Sequence, residues 1–103
     1  MDHRLAMLEG LVSSGSVDSF TLYALAMEYR SKGRIADAIE AFSTLRDLYP
    51  EYVPGYMMAG TMLIGEDRKD EARVWLTQGI EEADAAGNAH ARDEMKKLLV
   101  SIG

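Results

Sequence analysis

Residues 19–52 read SFTLYALAMEYRSKGRIADAIEAFSTLRDLYPEY, and residues 53–86 read VPGYMMAGTMLIGEDRKDEARVWLTQGIEEADAA. Laid over each other without a gap, the two blocks pair Leu22 with Tyr56, Leu25 with Ala59, Ala26 with Gly60, Tyr29 with Leu63, Ala38 with Ala72 and Phe42 with Leu76, each 34 residues apart. Leu45 over Gly79 breaks the match of size. A period of this length marks one supersecondary unit that buries its apolar face by stacking on a copy of itself. Each block divides at the same place, at Lys32-Gly33-Arg34 and at Gly65-Glu66-Asp67-Arg68. Gly33 and Gly65 suit the left-handed position after a helix end, where a side chain would clash. On either side, Phe20, Leu22, Tyr23, Leu25, Ala26, Met27 and Tyr29, then Ile35, Ala38, Ile39, Phe42, Leu45 and Leu48, recur at helical spacing. Each block is therefore expected to be helix, turn, helix. Asp18 or Ser16 can cap the first helix. Pro50 ends the second, and Pro54 is tolerated in the first turn of the next.

The pattern resembles the tetratricopeptide repeat. Its run of a large residue, Leu, a small residue, Tyr, Ala, Phe, a further packing residue and Pro reads here as Leu22, Leu25, Ala26, Tyr29, Ala38, Phe42, Leu45 and Pro50. The second block departs from it, with Leu63 for the Tyr, Leu76 for the Phe and Asp84 for the terminal Pro, so its second helix is expected to run on through Ala85 and Ala86 to Gly87. The small residues point to close helix crossings, Ala26 against Ala38 and Gly60 against Ala72. A glycine inside a helix costs about 1 kcal/mol relative to alanine, so Gly60 is expected to be there for packing.

Two repeats leave their ends bare, and the flanks supply cover. Asp2 to Ser13 carries Leu5, Leu8, Leu11 and Val12 on one face; Asn88 to Ile102 carries Ala91, Met95, Leu98, Leu99 and Ile102, with Asp93 and Lys97 as an i,i+4 pair opposite. The expectation is one all-α domain over residues 1–103, a tetratricopeptide-type helical hairpin array (an α-solenoid) of about six antiparallel helices. It comprises a lead helix over 1–14, repeats over 19–52 and 53–86, and a C-terminal capping helix over 88–102, packed on Val74, Leu76 and Ile80.

Composition narrows the function. A net charge of -6 argues against nucleic acid or an anionic membrane surface as partner. No Cys is present, so a disulfide, a thiolate zinc site and a cysteine nucleophile are excluded, and a reducing cytoplasm is the expected home. The apolar runs are short and Asp2 and Glu9 interrupt the start, so a soluble, uncleaved chain is expected. The two histidines, His3 and His90, lie in opposite terminal helices. The carboxylates Glu66, Asp67, Asp70 and Glu71 cluster at a turn and helix start, where the helix dipole favours them, and lack the ligand pattern of a calcium loop. No enzyme, no metal and no cofactor is the reading that follows.

What remains is surface. In the family, the first helix of each pair lines a concave groove; the resemblance assigns to it Phe20, Tyr23, Met27 and Arg30, then Met57, Met58, Thr61 and Ile64. Met and aromatic side chains adapt to a partner's shape, so the implied function is binding of a peptide or helical segment of a protein partner. The alternative is a homo-oligomeric building block that pairs through the same apolar surface; a third possibility, that these methionines are core, bears on both. Family members that clamp a terminal carboxylate use Lys, Asn and Arg where this chain has Tyr23, Met27, Met58, Asn88 and Arg92, so only Arg92 matches.

Overall fold

The computed structural model describes residues 2–103; Met1, the first residue of the expected lead helix, lies outside the described residues. Six helices follow one another, and no strand occurs among the described residues: α1 (His3–Ser13), α2 (Ser19–Ser31), α3 (Ile35–Leu48), α4 (Val53–Gly65), α5 (Lys69–Ala85) and α6 (Ala89–Ser101). They form two compact units, α1 to α3 and α4 to α6, with the division between Tyr49 and Pro50.

Four of the helix ends share one device. After α1, α2, α4 and α5 a residue turns left-handed, and the next amide reaches back to a carbonyl five residues earlier: Ser16 to Leu11 at 2.8 Å, Arg34 to Tyr29 at 2.9 Å, Arg68 to Leu63 at 2.9 Å and Asn88 to Ala83 at 2.8 Å. These bonds satisfy carbonyls that the helix itself leaves open. The left-handed residues are Gly15, Gly33, Asp67 and Gly87. Gly65 does not take that role, contrary to expectation: it is the last residue of α4, and Asp67, the register mate of Gly33, takes the turn with φ of 58°. Asp is among the few residues that tolerate this region.

In the first unit, α2 packs on α1 and on α3. Asp2 caps α1 through the Leu5 amide at 3.0 Å, and Asp18 caps α2 through the Thr21 amide at 2.9 Å. The core is Leu5, Leu8, Leu22, Leu25, Ala26, Ala38, Phe42 and Leu45, all buried. Polar contacts fix α1 on α2: Arg4 pairs with Glu28 at 2.6 Å, Lys32 with Asp2 at 2.9 Å, and the Tyr29 hydroxyl donates to Glu9 Oε2 at 2.6 Å. Leu11, expected on the covered face, is 39 % exposed, and Met7 56 %. With α2 as its packing partner, α1 has a wider apolar arc than one helix covers.

In the second unit, α5 packs on α4 and α6, and α6 also meets α4. Their junction is Gly79. A Cβ there would lie 2.5 Å from Met95 Sδ and 2.6 Å from Tyr56 Cβ, which explains why the position of Leu45 in the first repeat is empty of side chain in the second. Gly60 is explained likewise, although by a different neighbour from the expected Ala72: its Cβ would lie 2.6 Å from Leu76 Cδ2 and 2.7 Å from Leu76 Cγ. Tyr56 tilts against Trp75, with ring centroids 6.1 Å apart, and donates its hydroxyl to the Pro50 carbonyl at 2.6 Å. α5 runs on to Ala85, past the position of the first repeat's Pro50 but short of the expected Gly87, with Ala86 as the cap and Gly87 left-handed beyond it. Asn88 caps α6, and the Arg73 guanidinium donates to the Ile102 carbonyl at 3.0 Å. Ala91, Met95 and Ile102 are buried, but Leu98 and Leu99 only half so. Leu76 is fully buried, whereas Val74, expected under α6, is 53 % exposed, since the buried stripe of α5 runs through Ala72, Trp75, Leu76, Gly79 and Ala83. Nor do Asp93 and Lys97 pair: Lys97 meets Glu94 at 3.4 Å and Asp93 meets Arg92 at 3.1 Å.

Four outcomes test these assignments. Half-burial, then the hydrogen bond to Glu9 and the charge on Glu9, push the Tyr29 hydroxyl up to about 12 from its ordinary 10.0. The raised value means that its share of stability is intact below the unfolded tyrosine's pKa and is lost as pH rises from there towards 12. Ultraviolet titration should show Tyr29 ionising late, and Glu9→Gln should bring it earlier. Asp67→Gly should remove left-handed strain and raise the unfolding free energy from denaturant melts by up to about 1 kcal/mol, net of the added freedom of the unfolded chain. Gly79→Ala should cost about 1 to 3 kcal/mol by overpacking. Gly10→Ala, in α1 with nothing within 4 Å of the added carbon, should instead stabilise by about 1 kcal/mol or less.

Candidate functional site

The residues assigned to the groove fall on one helix in each unit. Successive helical residues turn by about 100°, so Phe20, Tyr23, Met27 and Arg30 share one stripe of α2, and Met57, Thr61 and Ile64 share one of α4, with Met58 beside it. Phe20 is 73 % exposed. Tyr23, Met27 and Arg30 are half-buried, as are all four residues on α4. These methionines are thus neither sealed core nor free surface. The Thr61 hydroxyl is used within its own helix, donating to the Met57 carbonyl at 2.7 Å.

The Asp18 carboxylate at the start of α2 accepts from both the amide and the hydroxyl of Thr21, at 2.9 Å each. The amide bond, then the hydroxyl bond, hold the carboxyl below its ordinary pKa. This cap fixes the first turn, from which Phe20 projects. On α4 no side chain caps the start; Pro54 lies in the first turn, and Gly55 and Tyr56 after it are buried.

Arg92, the single match to a carboxylate clamp, is already engaged. It pairs with Asp84 at 3.2 Å and Asp93 at 3.1 Å, and these partners raise its pKa, Asp93 foremost. Asn88 spends its side-chain oxygen on the Ala91 amide at 3.1 Å. The two histidines are exposed on α1 and α6. Two of the four turn carboxylates meet nearby guanidinium groups: Glu71 pairs with Arg68, the residue before α5, at 2.8 Å, and Asp70 with Arg73. Among the described residues no three His, Asp or Glu side chains converge as a metal site would need, and no helix is long and apolar enough to cross a membrane.

One concavity was not anticipated from the sequence. In the first unit a cleft of about 190 Å³ opens between α1 and α3, with Leu22 and Leu25 of α2 as its floor, Val12 on one wall and Asp37, Glu40 and Ala41 on the other. Three helices contribute to it, so no single stretch of sequence carries its signature; the nearest hint is the pair Asp37 and Glu40, one turn apart on α3.

No family model matches the chain, and no curated protein does. Solved structures do. A solution structure of a tetratricopeptide repeat domain protein from Salinibacter ruber is 31 % identical, with a TM-score of 0.78 over 84 % of this chain and 87 % of that one. A crystal structure of a Salinibacter ruber tetratricopeptide repeat domain protein is 32 % identical, with a TM-score of 0.74 over 82 % of this chain and 96 % of that one. A Bordetella parapertussis protein shares the fold at 20 % identity, with a TM-score of 0.82 over 99 % of this chain and 89 % of that one. With its 34-residue period, its paired helices and this likeness, the chain belongs to the tetratricopeptide repeat family.

Proposed function

We propose that the protein is a non-enzymatic interaction module, cytoplasmic, whose first-helix stripes on α2 and α4 bind a peptide or helical segment of a partner protein. One observation carries the reading: Phe20 stands 73 % exposed at the head of a stripe that continues through Tyr23 and Met27. An aromatic side chain so far from cover exposes apolar area that a partner's surface can remove from water. Half-buried methionines on α4 fit the same role, because they are anchored at the stem and adaptable at the tip. The non-enzymatic reading draws support from the second unit, where Glu71, Asp70 and Arg92 are each engaged in ion pairs.

Self-association is a second reading, favoured by Val100 at 81 % exposed as well as by Phe20. Size-exclusion chromatography with light scattering separates the two: the module reading expects a monomer at every concentration, and a dimer that survives dilution would favour self-assembly. Peptides selected from a random displayed library against the full chain then test the stripes. Phe20→Glu, and separately Met57→Gln, should weaken the selected peptides by about tenfold or more with little change in melting temperature. Peptides that bind both variants as well as the parent would sink the assignment.

A further inference from the structure

We propose that the cleft of the first unit, between α1 and α3 above α2, docks a basic segment of a partner protein with one lysine or arginine side chain as its anchor. Its volume of about 190 Å³ suits one long side chain and part of its neighbour, and falls below the roughly 300–1,000 Å³ of small-molecule sites. Its lining is divided by polarity. Leu22 and Leu25, both buried, floor it, and Val12 and Ala41 extend the apolar part. Asp37 and Glu40 stand on the α3 wall. Tyr29, which also lines the cleft, holds Glu9 beside it by donating its hydroxyl to Oε2 at 2.6 Å.

The charges do not cancel. Arg34 lies over the Tyr29 ring at 4.8 Å and pairs with Asp37 at 2.8 Å. Glu40 makes no ion pair among the described residues, so the lining carries two carboxylates against the one guanidinium of Arg34, with Glu9 held on Tyr29 outside the lining. An apolar floor below a negative wall is complementary to a side chain with an aliphatic stem and a cationic head. A neutral apolar segment would desolvate Asp37 and Glu40 without compensation, and an acidic one would be repelled. Counted by helical rotation, Leu22, Leu25 and Tyr29 lie on the other side of α2 from Phe20, Tyr23, Met27 and Arg30. The cleft therefore adds a second surface to the proposed stripe and does not depend on it.

Fluorescence anisotropy on the full chain tests this with two labelled amphipathic helical peptides, identical except for Lys or Glu on the polar edge. The Lys peptide should bind at least about tenfold more tightly. Glu40→Lys, an exposed and unpaired position, should weaken it by about tenfold, and the near-isosteric Glu40→Gln by a smaller factor, with unchanged thermal melts. Heteronuclear NMR should place the peptide's perturbations on Val12, Leu25 and Ala41. The proposal would be overturned by equal affinity for the two peptides, by no effect of Glu40→Lys, or by perturbations confined to Phe20, Tyr23 and Met27, which would support the stripe alone. Spermidine shifting the same amides as tightly as the peptide would also overturn it, by making the occupant a free polyamine.

Discussion

Four backbone hydrogen bonds of 2.8 to 2.9 Å, each running from the residue after a left-handed turn to a carbonyl five residues earlier, set where the helices stop and how the next segment leaves. The packing in each unit depends on them. If the turn after α2 were one residue longer, every side chain of α3 would rotate by about 100°, and Ala38, Phe42 and Leu45 would leave the core. The same holds in the second unit for Ala72, Trp75 and Leu76. Hydrophobic burial supplies the driving force, but it is non-directional; the turns give it a direction.

The second constraint is distance. In the first repeat Ala26 and Ala38 are fully buried, and in the second Gly60 and Gly79 sit where added carbons would fall within van der Waals contact of Leu76, Met95 and Tyr56. Substituting a branched Leu76 for Phe42 and removing the carbon at Gly60 are two halves of one adjustment. So are the loss of a side chain at Gly79 and the arrival of Met95 from α6. Polar contacts serve a different purpose: the Arg4, Lys32 and Tyr29 links place α1 on α2 where its apolar coverage is thin.

Most of the helical order was legible because the 34-residue period repeats side-chain size as well as polarity, and because Pro50, Gly33 and Asp18 have local conformational meanings. Register was more informative than residue type: Gly65 looked like the turn residue, but counting 34 from Gly33 arrives at Asp67. What sequence could not supply was direction in space. Leu11 and Val74 belong to apolar patterns whose outer members have no helix opposite, and the Asp93, Glu94 and Lys97 pairings were settled by rotamers on an exposed face, where alternatives differ little in energy. The stripes on α2 and α4 could be assigned from the family resemblance, but their degree of exposure could not, and the cleft above Leu22 and Leu25 needed three helices to exist.

The contact between Tyr56 and Trp75 also has a spectroscopic meaning. Trp75 is the only tryptophan in the chain and is buried in the second unit, while circular dichroism sums all six helices. Indole emission therefore reports one unit and ellipticity reports both, so the natural sequence carries an internal probe of whether the two halves lose their structure in one cooperative step or in succession.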